Sequence, residues 1–147
     1  MQAIYNLSEG SAKINLVKDI IKADADFSIQ NKEGNNAITL LSRLGNAEVL
    51  GMLIMKMLND ELNRKLIGTS LMTSDAILKM KNAENEDALI AAIKAKSKEC
   101  INILIDIANM TITKEHLFHA KELINDNSKV YSLLKRKYHE QDGNTIN

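Results

Sequence analysis

Asn31-Lys32-Glu33-Gly34-Asn35-Asn36-Ala37-Ile38-Thr39-Leu40-Leu41-Ser42-Arg43-Leu44-Gly45-Asn46-Ala47-Glu48-Val49-Leu50-Gly51-Met52-Leu53-Ile54 is the stretch that decides the fold. It opens with a polar run that reads as a turn or hairpin, in which Gly34 supplies a backbone angle that a Cβ resists. Residues 36–44 then predict a short helix, closed by Gly45. From Ala47 a second helix is expected, with Val49, Leu50, Leu53, Ile54 and Met57 facing inward. Nothing before Gly68 breaks that pattern, so the helix is expected to reach Ile67. An earlier apolar pair, Ile20-Ile21, precedes Leu53-Ile54 by 33 residues, from position 20 to position 53. That step is the length of a unit made of two helices and a hairpin, and such units stack side by side.

Outward from this stretch the same grammar continues. Residues 11–22 carry Ile14, Val17, Ile20 and Ile21 on one helical face, with Ser11 as the expected cap. Thr73 or Ser74 starts another helix, with Asp75 favourably placed in its first turn. Asp87 leads into Ala88, Leu89, Ala91 and Ala92. Lys98 leads into Cys100, Ile101, Leu104 and Ile105. Thr113 is expected to cap a helix through about Ile124, and Ser128 another through Tyr138. The whole predicts an all-α chain of paired short helices. Its 147 residues form a single domain, 1–147, large enough to bury a core.

Composition narrows the function. Nineteen basic residues balance nineteen acidic ones, so no net field draws the chain to nucleic acid or to an anionic membrane. Trp and Pro are absent, and three Tyr and two Phe are too few for a surface that stacks bases. No apolar run approaches the ~20 residues of a membrane span. The single cysteine, Cys100, cannot close an internal disulfide, which fits a reducing compartment or mere indifference to redox, and it reads as a small buried hydrophobe. Asn, Ile and Lys make up roughly a third of the chain, a bias toward residues with AT-rich codons.

The segment from Ile20 to Ile54 resembles an ankyrin repeat. The family pattern Asp-x-x-Gly-x-Thr-Pro-Leu-His-x-Ala-Ala, Gly-His, Ile-Val-x-x-Leu-Leu, Gly-Ala-Asp has counterparts here. They are Asn31-x-x-Gly34-x-Asn36-Ala37-Ile38-Thr39-x-Leu41-Ser42, Gly45-Asn46 and Val49-Leu50-x-x-Leu53-Ile54. The preceding unit ends Ile20-Ile21-x-x-Asp24-Ala25-Asp26. A third copy reads Asn85-x-Asp87-Ala88-Leu89-x-Ala91-Ala92, then Cys100-Ile101-x-x-Leu104-Ile105.

The step from Asn36 to Asp87, and from Leu53 to Leu104, is 51 residues, 18 longer than the family period. Residues 55–81 therefore hold either a lengthened helix with an inserted one or a decayed repeat. Other departures are the missing Thr-Pro-Leu-His, with Ala37 and Ala88 in the place of Pro, and Lys96-Ser97 where Gly-His is expected. A fourth unit, from Leu117 to Leu134, keeps paired helices only. Asp142-Gly143-Asn144-Thr145-Ile146 reads as the opening of a further repeat.

The resemblance implies an ankyrin-type solenoid with a mid-chain helical insertion or decayed repeat, acting as a protein–protein interaction module. Its contacts would come from the hairpin fingers and the inner helices. Carried onto this chain, those positions are Gln30, Lys32, Glu33, Asn35, Arg43 and Leu44, then Ala83, Glu84, Glu86, Lys94 and Ala95. Arg43 beside Leu44 stands out, because Arg is enriched at interfaces and the fold does not bury Leu44. The AT-rich bias and the decayed repeats are similar to ankyrin-repeat proteins of intracellular bacteria, which implies a host-directed effector. The expectations that follow are a cytoplasmic or host-delivered monomer with a protein partner, no nucleic acid, no membrane and no cofactor.

Catalysis is not expected. His116 and His119 are three residues apart rather than four and lack further ligands, so they read as surface or half-buried histidines rather than a zinc site. Asp24/Asp26 and Glu84/Glu86 sit in turns with no nucleophile or base beside them. Lys135-Arg136-Lys137-Tyr138 reads as basic residues complementing the end of the last helix. The stripe Met52, Met55, Met57, Leu58 reads as core, or as a partner site if its helix extends beyond the stack. Two other readings stay open at this point: an accessory domain of a larger enzyme, and a compact helical bundle with a small-ligand pocket.

Overall fold

The computed structural model describes residues 26–68, 72–124 and 129–143. Within them the regular secondary structure is helical, and no strand is present. The helices are α1 (Ala37–Leu44), α2 (Ala47–Ile67), α3 (Ser74–Leu78), α4 (Ala88–Lys94), α5 (Lys98–Asn102), α6 (Lys114–Leu123) and α7 (Lys129–Gly143). A π-helical turn, Ile103–Ile107, continues α5. The helix expected over 11–22, its Ile20-Ile21 pair, the Ser128 cap and residues 144–147 lie outside the described residues.

Two stretches of this chain fold alike, 51 positions apart. Asn31 makes a tight turn in which its Oδ1 accepts from the backbone of Glu33 and Asn35, and its N–H reaches the Asn35 carbonyl. Asn82 does the same toward Glu84 and Glu86. Each finger needs a left-handed residue, supplied by Gly34 (φ 81°) and by Asn85 (φ 62°). Asn tolerates that region better than other residues with a Cβ. Asn36 then caps α1 by accepting from the Thr39 N–H, and Asp87 caps α4 by accepting from Ile90. Gly45 and Lys96 turn the chain after each inner helix, again left-handed. Asn46 and Ser97 cap the outer helices α2 and α5.

The apolar positions follow the same step. Val49, Leu50, Leu53 and Ile54 in the first hairpin, and Cys100, Ile101, Leu104 and Ile105 in the second, are all buried. Helix α1 packs on α4, and α2 packs on α5 and its π-helical turn, so the two hairpins lie side by side over one aliphatic core. Burying each such side chain contributes about 1.5–3 kcal/mol. A hydrogen bond seams the pair, Ala83 N–H donating to the Glu33 carbonyl (2.9 Å), and Asn36 Nδ2 ties the first hairpin to α3 by donating to the Ile77 carbonyl (3.1 Å).

Residues 55–81 hold the second half of α2 and the short helix α3 among those described. Helix α2 runs for 21 residues, and α3 then leads into the second finger. A third layer follows, with α6 against α4 and α7 against α6. Gln141 ties α7 to the loop before α6 by accepting from the Ile112 N–H and donating to the Ile112 carbonyl.

Two expectations need correction. The basic run at Lys135 does not close a helix, because α7 continues to Gly143; Arg136 pairs with Glu140 and Lys137 with Asp106. The regular helix expected over 98–107 widens into a π turn, where Ala108 N–H reaches back to the Ile103 carbonyl. Apolar periodicity alone does not separate the two geometries.

Candidate functional site

Three elements converge on one shallow depression. The end of α1 brings Arg43, the second finger brings Glu84 and Glu86, and α4 brings Ala91, Lys94 and Ala95. The depression measures ≈ 260 Å³ and is open to solvent on one side. The small side chains of Ala91 and Ala95 leave the space between the charged residues empty. Five of the eleven positions the resemblance singles out, Arg43, Glu84, Glu86, Lys94 and Ala95, line it.

These charges are not equivalent. Glu86 is buried, accepts from Asn82 Nδ2 at 3.0 Å and pairs closely with Lys94. Burial alone would push its carboxyl up. The Asn82 hydrogen bond, the Lys94 contact and the nearby Arg43 charge outweigh that and hold its pKa below the ordinary glutamate value. Lys94 is thus largely neutralised. The Arg43 and Glu84 side chains are exposed and make no hydrogen bond or ion pair to another described residue. The rim therefore offers one guanidinium and one carboxylate that no described residue engages in a hydrogen bond or ion pair, across a small-residue floor. Leu44, 46% exposed, extends the Arg43 side with apolar surface.

The remaining positions divide. Lys32 and Glu33 are exposed on the first finger. Gln30 is exposed but employed: its Nε2 donates to the Gly34 carbonyl (2.7 Å) and to the Lys81 carbonyl (3.3 Å), joining the two fingers. Asn35 is buried and accepts from Asn82 Nδ2 at 2.9 Å. Asn35 joins the two fingers from beneath through Asn82, whereas Glu86 braces the second finger and reaches the depression.

The sequence does not single out Asn82, which joins both fingers. Its signal is the 51-residue step from Asn31, hidden because Asn85 replaces the glycine of the first copy. Nor does it place His116 correctly. This side chain is buried, not on the surface or half-buried. Thr113 caps α6 by accepting from the His116 N–H, and His116 Nδ1 accepts from the Thr113 N–H. His116 Nε2 lies 2.7 Å from the Asp87 carboxylate. His119 stays half-buried. Cys100 is fully buried, and burial pushes its thiol pKa up.

Among the described residues no cluster of His, Cys, Asp and Glu is arranged to hold a metal ion. No described helix is long and apolar enough to cross a membrane. No family model matches the chain, and neither curated proteins nor solved structures yield a match.

Proposed function

We propose that this chain is a row of stacked helix hairpins of ankyrin type, with α3 and the second half of α2 as its insertion. It binds a partner protein through the depression between α1, the second finger and α4. Two features support the architecture. The finger, cap, left-handed turn and outer helix repeat at a constant step of 51 residues, and the two copies lie side by side. Thr113 and His116 make reciprocal hydrogen bonds, and His116 reaches back to Asp87 at the start of α4, tying α6 to the unit before it.

The observation that carries the binding reading is the exposed Arg43 at the rim of an open, small-floored depression. A buried charge needs a partner, whereas an exposed guanidinium presents a planar fork that suits a carboxylate arriving from outside. Leu44 supplies apolar contact next to it, the combination found in interface anchors.

The test is a double substitution at that rim, Arg43→Glu with Leu44→Asp, compared with Lys121→Glu on α6. Both side chains at the rim are exposed, so helicity should be unchanged. Loss of a captured partner by the double variant alone supports the reading. Equal capture by both variants, with helicity intact, counts against it.

A further inference from the structure

The depression between the two hairpins is formally neutral, yet its charges differ in how firmly the fold holds them. Arg43 and Lys94 bring two cations, and Glu84 and Glu86 two carboxylates. Glu86 is buried, accepts from Asn82 Nδ2 at 3.0 Å and is in close contact with Lys94. That pair is committed within the molecule. Arg43 and Glu84 are exposed, and no described residue engages either side chain in a hydrogen bond or ion pair. What the surface presents outward is one cation at the end of α1 and one anion on the second finger.

Each of these charges rejects something. A phosphate on Arg43 would be repelled by Glu84 and also by Glu86, which lies close enough for the guanidinium to lower its pKa. A cation alone would meet Glu84 but would be repelled by Arg43 and Lys94. A ligand that carries one charge of each sign avoids both penalties. The floor adds a second restriction: Ala91 and Ala95 carry no atom beyond Cβ, so there is room for backbone to lie across them. The depression is also open to solvent on one side, whereas sites for small molecules enclose most of their ligand. The two charges it meets therefore belong to a chain that crosses the surface rather than to a lone amino acid.

We propose that the depression recognises a dipolar protein segment: an acidic side chain that meets Arg43 and, a few residues along, a basic side chain that meets Glu84, with the backbone between them over Ala91 and Ala95. The Arg43 fork suits a carboxylate, to which it can donate two parallel hydrogen bonds. Glu84 accepts from the ammonium or guanidinium at the other end. The inference rests on the reading of this depression as the partner site and adds the chemistry of the partner, a segment with both signs of charge and no phosphate. Charges placed in this way fix orientation more than strength, so they set the direction in which the segment crosses the stack.

Capped synthetic peptides titrated into the nitrogen-15-labelled full chain test it, with the amide signals of Ala91 and Ala95 as the readout. The parent peptides carry Asp and Lys separated by about two to four Gly or Ala residues, which varies the reach between the charges. Matching peptides replace Asp by Asn, Lys by Gln, or Asp by phosphoserine. The best Asp–Lys peptide should bind about threefold more tightly than either singly neutralised one, the order an exposed ion pair contributes. Arg43→Gln should remove the advantage of Asp over Asn and keep that of Lys over Gln, and Glu84→Gln should do the reverse. Both side chains are exposed, so helicity should be retained in each variant. Saturable shifts at Ala91 and Ala95 that ignore peptide charge, or tighter binding of the phosphoserine peptide, overturn the dipolar inference and leave the partner site in place. No shift from any peptide up to about 10 mM overturns the inference as well; the partner site then stands or falls on capture by the Arg43→Glu, Leu44→Asp variant.

Discussion

The Asp87 carboxylate serves two neighbouring units at once: one oxygen accepts from the Ile90 N–H at the start of α4, and the other lies 2.7 Å from His116 Nε2. The proton positions follow from elementary bonding. The Thr113 N–H can only donate, so His116 Nδ1, 3.0 Å away, is the acceptor. His116 Nε2 then carries the hydrogen and donates to Asp87. Both side chains are buried, so neither finds water as a substitute.

Asp87→Asn keeps a capping oxygen but turns an amide N–H₂ toward the Nε2–H. Two donors then face each other in a buried site, and the variant should lose about 1–3 kcal/mol of stability. A double-mutant cycle with His116→Ala should return a coupling of about 1–3 kcal/mol by urea denaturation. Additive losses would show that the pair does not act as one unit.

Gly34 and Gly45 should respond differently to alanine, although both have positive φ. A Cβ on Gly34 would stand 2.8 Å from the Ala83 backbone nitrogen and 3.0 Å from Asn82 Cα. Gly45 has nothing nearer than the Ser97 side chain at 3.7 Å. Gly45→Ala should cost the conformational strain alone, about 1–2 kcal/mol. Gly34→Ala adds a clash with backbone of the next finger and should cost clearly more. Thermal midpoints of the two variants, measured side by side, check the order.

Glu86 gives the fold an acid-sensitive contact. Its folded pKa lies below the ordinary 4.5, so the unfolded chain takes up this proton more readily than the folded one. The contribution is complete above about pH 4.5 and is lost as pH falls through the folded value. Stability measured from neutral pH downward should therefore decline below that point. Glu86→Gln should be less stable at neutral pH and should show a smaller decline in acid.

Cys100 should behave as core rather than as a reactive thiol. It is fully buried, and desolvation disfavours its thiolate. A thiol reagent should leave the native chain unmodified and label one site promptly in denaturant. Prompt labelling of the folded chain would place Cys100 at the surface.

Much of the fold is legible in the residues because local and global signals agree. Asn36 and Thr73 stand at helix starts, Gly45 at a helix end, and Val49, Leu50, Leu53, Ile54 and Met57 on a buried face, each for a reason visible within a few positions. What is not legible depends on neighbours far away in the chain. Asn82 looks like an ordinary turn residue until Asn35 is set beside it. His116 looks exposed among Lys114, Glu115 and Phe118, and only the packing of α6 on α4 takes it to Asp87. The depression itself assembles from Arg43 and Lys94, whose adjacency follows from the stacking of the two hairpins.

The central claim is that the finger at Gly34 lies flat against the finger at Ala83, which sets the two hairpins in a row and creates the depression between them. The nuclear Overhauser effect between the Gly34 α-protons and the Ala83 amide proton tests this most directly. Since a Cβ built at Gly34 falls 2.8 Å from the Ala83 nitrogen, a strong cross-peak is predicted. Sharp, assigned signals for both residues with no cross-peak between them would contradict it.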